Sequence, residues 1–280
     1  MNRAGHRLYT KPHIEPDGAA VNEVQSKLLK MYEDIREVLD RNEISYYAFF
    51  GTALGAVRHN GFIPWDDDMD LAVWIEDIPR INEALSKELD PEKYYYHVPR
   101  ADDHPHVVLI EGDLEESIRD KTALFIDLFP LSGFPDGRLR QLATGAAIWG
   151  DNIAIYALDR IGPAWLHRGL RWTHRFFSKL ADLCAGKDCS LVTVRATHYK
   201  EYTYPRDLYG KPVMHVFEDT DIPLPEKWED ILTGLYGDFM VPPPEDKRHG
   251  ANGFPCSVLK DYRMSLPDKK VRTSRKNNTL

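Results

Sequence analysis

The sequence predicts an α/β protein: a mixed sheet carrying helices over residues 21–135, then a helical, loop-rich portion over residues 136–264. Three observations predict it. Short apolar runs of strand character alternate with segments whose apolar residues recur every three or four positions. Four aspartates crowd into the five residues Asp66-Asp67-Asp68-Met69-Asp70, directly ahead of the apolar run Leu71 to Ile75. After Leu131-Ser132-Gly133-Phe134-Pro135-Asp136-Gly137, rich in turn formers, the pattern lengthens into helices.

In chain order, residues 1–20 read as a mobile arm, because Met1 to Gly18 is polar and lacks the apolar run of a signal peptide. Val24, Leu28, Met31, Ile35, Val38 and Leu39 fall at helical spacing, so Val21 to Asp40 is an amphipathic helix. Ser45 to Phe50 is a strand and Thr52 to His59 a short helix, stopped by Asn60-Gly61. Asp66 to Asp70 leads into the strand Leu71 to Ile75. Ile78, Ile81, Leu85 and Leu89 mark a helix, Tyr94 to Val98 and Val107 to Ile110 a strand pair, and Ala123 to Phe129 a buried strand closed by Pro130. Two long helices follow, Arg138 to Leu158 and Ala164 to Cys184. Val213 to Phe217 with Ile222-Pro223-Leu224-Pro225 suggests a hairpin or edge strand, and Trp228 to Tyr236 a helix ended by Gly237. Residues 265–280 are basic and polar, the composition of a disordered tail.

Composition narrows the function. A net charge of -8 and a pI near 5.8 argue against a nucleic-acid partner, which would call for a basic excess. Three cysteines make no disulfide framework, and Cys184, Cys189 and His198 match no common zinc spacing. The longest apolar stretch, Leu142 to Leu158, is interrupted by Gly150-Asp151-Asn152, so no transmembrane span is expected. A cytoplasmic protein follows, with room for contact at the inner face of the membrane. On the second long helix Arg168, Arg171, Arg175 and Lys179 oppose the apolar Leu166, Leu170, Phe177, Leu180 and Cys184, with Trp165, Trp172 and Phe176 along one flank. Such a face suits anionic lipid headgroups or a lipid-linked glycan; a merely solvated face is the commoner meaning.

The chemistry gathers around the aspartates. If the run is extended, Asp66, Asp68 and Asp70 share one face of a strand, with Asp67 on the other. Carboxylates that close repel one another, and the usual relief is an oxygen-preferring divalent cation, Mg2+ or Mn2+. An acidic surface turn is the bland alternative, weakened because Asp70 sits at the mouth of a buried strand. Upstream, Gly51-Thr52 closes one strand and opens a helix, offering backbone N–H groups to a phosphate. Asp127, alone in the apolar Ala123 to Phe129, is either a metal ligand or a residue paired with arginine or capping a turn. Arg58 suits a phosphate or a structural ion pair equally. Trp65 is core, or one wall of a box for a quaternary ammonium. Lys247 and Arg248, after a stiff triple proline, could close over a donor's phosphates or form a basic solvent turn.

The run Gly51 to Asp70, Gly-Thr-Ala-Leu-Gly-Ala-Val-Arg-His-Asn-Gly-Phe-Ile-Pro-Trp-Asp-Asp-Asp-Met-Asp, resembles the signature of the LicD family, phosphocholine transferases related to fukutin and fukutin-related protein. Phe125-Ile126-Asp127-Leu128-Phe129-Pro130-Leu131, Leu235-Tyr236-Gly237-Asp238 and Pro242 to Arg248 resemble later motifs of the same family. The resemblance implies a nucleotidyltransferase-like core and an acidic ligand at Asp127. It also implies transfer of a substituted phosphate, typically phosphocholine from CDP-choline, to a hydroxyl of a cell-surface or lipid-linked glycan. Relatives use CDP-ribitol or CDP-glycerol, and the aspartates cannot tell these donors apart. On this reading Asp68, Asp70 and Asp127 hold the metal, Asp66 is the general base, and Gly51 and Thr52 cradle phosphate. Nucleotidyl transfer, an Asp-x-Asp glycosyltransferase and an inactive glycan- or partner-binding relative stay open as alternatives.

Overall fold

The computed structural model describes residues 21–98, 104–160, 164–185, 189–195, 199–248 and 262. The expected arm at 1–20, His198, His249 and the expected tail at 265–280 lie outside them.

Helix α1 (Glu23–Arg41) starts on a reciprocal cap in which Asn22 and Gln25 each bond the other's backbone N–H, and it buries Leu28, Met31, Tyr32, Ile35, Val38 and Leu39. Strand β1 (Tyr46–Ala48) is shorter than the sequence suggests. The helix α2 (Phe50–His59) already begins at Phe50, and Asn60 stops it in the left-handed conformation, φ 55°. Strand β2 (Met69–Trp74) follows, then α3 (Ile78–Glu88), β3 (Tyr94–His97) and β4 (His106–Leu109). A six-residue helix α4 (Leu114–Arg119), invisible to periodicity at that length, precedes β5 (Phe125–Phe134).

Pro130 does not close β5. The strand runs through it to Phe134, because β5 changes partners there. Its first residues pair antiparallel with β4, Phe125 to Asp127, and its last with β6 (Leu191–Val194), Leu131 to Phe134. Pro130 falls in the gap between the two, where that side of the strand needs no ladder donor. On its other side β5 runs parallel to β2 from Met69↔Ile126 to Trp74↔Leu131. With β7 (Tyr204–Pro205) on β6, the result is a seven-stranded mixed sheet whose main path is β1-β2-β5-β4-β3.

Between β5 and β6 the chain makes a helical hairpin of α5 (Arg138–Arg160) and α6 (Ala164–Ala185). Gly150-Asp151-Asn152 does not break α5. A Cβ at Gly150 would lie 2.7 Å from the Phe177 ring, so glycine lets the two helices meet. Asp151 pairs with His174 Nδ1 at 2.6 Å, and Asn152 donates to the Ile148 carbonyl. Beyond the sheet, β8 (Val213–Phe217) and β9 (Thr220–Leu224) form an antiparallel hairpin, the first of the two arrangements expected. Helix α7 (Trp228–Tyr236) ends at Gly237, φ 67°. The main core joins α1, α2, α3, the sheet and this C-terminal hairpin through Leu28, Ile35, Leu71, Val73, Leu128, Phe217 and Trp228.

Candidate active site

The acidic run is not one extended face. Residues 66–68 form a loop and the strand begins at Met69, so Asp66, Asp68 and Asp70 are brought together by a turn rather than by strand alternation. The turn is held from beneath. The Asp66 N–H donates to the Ile63 carbonyl at 2.9 Å, and the buried Gln25 of α1 donates through Nε2 to the carbonyls of Ile63 and Asp66 at 3.2 and 3.1 Å. Phe62 N–H bonds Glu218 in the β8–β9 turn at 2.8 Å. Asp67 is exposed, yet one oxygen of each of Asp66, Asp67 and Asp68 lies within 4.8 Å of the others.

Asp70 is 7% exposed and stands opposite Asp127 in the parallel β2–β5 register. Its carboxyl is pushed well above the usual range by burial first, then by the charges of Asp68, Asp127 and Asp66. Burial, then Asp68, raises Asp66 to about 7. Burial raises Asp68 as well, while its hydrogen bond to Asp66 works the other way. No basic side chain is among the principal influences on these three aspartates. The carboxylates of Asp66, Asp68, Asp70 and Asp127 thus lie close enough to act on one another, a donor set of oxygens that fits a hard divalent cation such as Mg2+ or Mn2+.

Two histidines that sequence reasoning passed over flank Asp127. Nε2 of His106 lies 3.1 Å and Nε2 of His104 3.6 Å from Asp127 Oδ1, and His97 Nδ1 is 3.1 Å from His106 Nδ1 behind them. Burial lowers His104 to about 4 and takes His106 well below its ordinary value, so both are neutral at physiological pH and orient Asp127 as dipoles. The signal was present as His104-Pro105-His106, the i, i+2 spacing that turns both rings to one side of an extended chain.

Gly51 and Thr52 lie in the first turn of α2. A Cβ on Gly51 would lie 2.6 Å from Asp66 Oδ2, so only glycine lets helix and acidic loop approach this closely. Thr52 is buried and its Oγ1 accepts from the Asp70 N–H at 2.9 Å, tying α2 to β2. No side chain caps the first turn of α2. Its first residue, Phe50, has φ 40°, an uncommon conformation held by ring contacts to Phe129 at 5.1 Å and Tyr202 at 5.2 Å.

Arg58 is buried, and its guanidinium bonds the Phe239 carbonyl at 3.1 Å and His59 Nε2 at 3.0 Å; it makes no ion pair with the aspartates. Trp65 packs partly on the core, and the Arg248 guanidinium covers its face at 4.8 Å from the ring centre. The structure therefore joins Trp65 and Arg248 to each other, while Lys247 is exposed on a short 3-10 turn. A different aromatic wall borders the carboxylates. Phe50, Tyr202, Tyr236, Leu235, Gly234 and Glu201 line a cavity of about 340 Å³. The Tyr236 phenol is raised well above its ordinary range by burial, Asp70 and Asp66, which places this ring beside the acidic centre and keeps it a proton donor.

A mixed sheet with a Gly-Thr helix mouth and carboxylates on adjacent parallel strands defines a nucleotidyltransferase-like protein. Comparison makes the class specific. Residues 43–138, from β1 through β5, match the profile described as LicD/FKTN/FKRP, nucleotidyltransferase domain. It is 24% identical over 254 residues to the lipopolysaccharide cholinephosphotransferase LicD of Haemophilus influenzae, covering 81% of this chain and 93% of that one. It is 44% identical over 51 residues to the human ribitol 5-phosphate transferase FKRP, covering 18% of this chain and 10% of that one.

Proposed function

We propose that the protein transfers a substituted phosphate, phosphocholine in the first instance, from a CDP-activated donor to a hydroxyl of a cell-surface glycan. The observation that carries this reading is the Asp70–Asp127 pairing across parallel strands, with Asp66 and Asp68 at its mouth and no basic side chain among the principal influences on Asp66, Asp68 and Asp70. The match over 81% of the chain to a lipopolysaccharide cholinephosphotransferase supports the choice of reaction and acceptor class.

Asp68, Asp70 and Asp127 would hold Mg2+ or Mn2+, which when bound supplies charge neutralisation to the donor's pyrophosphate and the leaving CMP. The uncapped first turn of α2, at Gly51 and Thr52, faces donor phosphate with backbone N–H groups. Asp66, at about 7, is matched to take the proton of the acceptor hydroxyl near neutral pH. The hydroxyl oxygen then bonds the substituted phosphorus, the bond from that phosphorus to the bridging oxygen breaks, and CMP leaves with the electron pair. The cavity of Phe50, Tyr202 and Tyr236 receives the donor's substituent; aromatic faces beside the Glu201 carboxylate suit a quaternary ammonium.

The test is a panel of thermal melts with CDP-choline, CDP-ribitol, CDP-glycerol, UDP-glucose and CTP, each with and without Mg2+. A ligand at a hundred times its dissociation constant stabilises by about 2.7 kcal/mol. A Mg2+-dependent rise confined to CDP donors is expected. A rise with CTP alone would favour nucleotidyl transfer, one with UDP-glucose alone a glycosyltransferase, and none at all a binding protein.

A further inference from the structure

The α5–α6 hairpin carries an apolar surface that the catalytic reading leaves unused. On α5 the exposed Leu139, Leu142, Trp149, Ile153 and Tyr156 recur at helical spacing and form one stripe, with Leu139 83% and Trp149 55% exposed. On α6 the exposed Trp172, Phe176 and Leu183 share a face, and the first two rings stack at 5.8 Å. Folding had the opposite sides of these helices available for the core, and used them: Ala147, Ile148 and Ala181 are buried together with Phe134 and Tyr199. A monomer that leaves this much contiguous aromatic and aliphatic surface in water ordinarily covers it with a partner.

Charge names the partner. Arg175 and Lys179 fall at i+3 and i+7 from Trp172, within the same face of α6, and Arg138 begins the α5 stripe. Among the side chains described on the two helices, Asp151 is buried against His174 and Asp182 pairs with Arg195. The exposed face is therefore cationic and aromatic on a chain whose net charge is -8. Neither helix is long and apolar enough to cross a membrane, so the surface suits lying on one. Tryptophan at the headgroup level with flanking Arg and Lys is the composition such a contact favours.

Position gives the contact a purpose. Leu142, Ala146 and Trp149 of the α5 stripe line a groove of about 390 Å³ with Tyr199, Lys200 and Glu201, and Glu201 also lines the cavity beside the carboxylates. The stripe thus leads to the site. We infer that the α5–α6 hairpin docks the protein on an anionic bilayer surface, presenting the carboxylate site to acceptors carried on that surface.

Co-sedimentation of the full chain with vesicles of phosphatidylcholine alone, or with added phosphatidylglycerol, tests this. Binding at least about tenfold tighter to the anionic vesicles, weakened by salt and accompanied by a blue shift of tryptophan emission, is expected. Trp149→Ala with Trp172→Ala, and separately Arg175→Glu with Lys179→Glu, should each lower that binding about tenfold or more while the melting temperature stays put. Wild type that ignores anionic vesicles, or variants that bind them as well as wild type, would overturn the inference. So would a concentration-dependent dimer that the tryptophan variant dissolves, since the face would then belong to a second copy.

Discussion

Asp70 and Asp151 are buried to the same degree, 7% and 6% exposed, and their surroundings could hardly differ more. Asp151 in the helical hairpin meets the His174 imidazole at 2.6 Å, so its burial is compensated by one neighbour of the right chemistry. Asp70 on β2 meets the charges of Asp68, Asp127 and Asp66. A buried carboxylate without compensation costs several kcal/mol, and a fold keeps one only where something outside the chain completes it. The first aspartate serves the fold. On the proposed reading, the second is a cost the fold bears for its site.

The sharpest break of that contrast is a pair of substitutions. Asp70→Asn should reduce turnover about a thousandfold, the scale of a lost metal-site carboxylate, and should raise the melting temperature of the metal-free protein by removing a repelled charge. Asp151→Ala should do the reverse. It strands His174, costs about 1.5–3 kcal/mol of stability, and leaves the donor-dependent melt shift in place. Calorimetry on both variants, with and without Mg2+ and donor, checks this. If Asp70→Asn destabilises the metal-free protein as Asp151→Ala does, Asp70 is a structural residue.

A smaller effect lies in pH. Asp66 at about 7 keeps its proton in the folded state across pH 4 to 7, where the unfolded chain has lost it. The native state then binds more protons, so this group's contribution to stability falls as pH rises through that window and is level above it. His104, lowered to about 4, acts oppositely, since the unfolded chain is the one holding the proton between pH 4 and 6.5. The melting temperature of wild type alone therefore mixes two slopes. Subtracting Asp66→Asn from wild type isolates the carboxylate: the difference should decline from pH 4 to 7 without metal and lose that decline at saturating Mg2+. A flat difference without metal would return Asp66 to an ordinary surface acid.

What the sequence disclosed follows the range of the interactions. The helices α1, α3 and α7 and the strands β1 and β2 were legible because their apolar spacing is local. Gly51, Thr52 and the aspartate run were legible as chemistry, though not as geometry, since the turn at 66–68 depends on Gln25 reaching from α1, some 40 residues earlier in sequence. Pro130 misled because a proline's effect on a strand depends on its neighbours, and the exchange of β4 for β6 is fixed by a strand beyond the whole helical hairpin. The four residues of β6 carry too little pattern to be found alone. His104 and His106 were passed over because their meaning comes from Asp127 on the next strand, and Tyr236 because a helix end more than 160 residues away in sequence is what brings it to Asp70.

The least dramatic prediction separates two aromatic walls. Trp65 already carries a cation, the Arg248 guanidinium at 4.8 Å, so its face is engaged within the chain. Such a contact contributes about 0.5–1 kcal/mol at an exposed site, and Trp65→Ala should weaken CDP-choline and CDP-glycerol by the same few-fold factor through a loosened Arg248 loop. Tyr236 and Tyr202 line the cavity beside the carboxylates, and among the described residues no cation lies over either ring. Tyr202→Ala should therefore cost CDP-choline about tenfold in affinity and CDP-glycerol much less, because only the former's substituent is a cation. Titration of both variants with both donors decides between the walls. A choline-selective loss at Trp65, with an even loss at Tyr202, would place the headgroup against the indole and require Arg248 to swing away when donor binds.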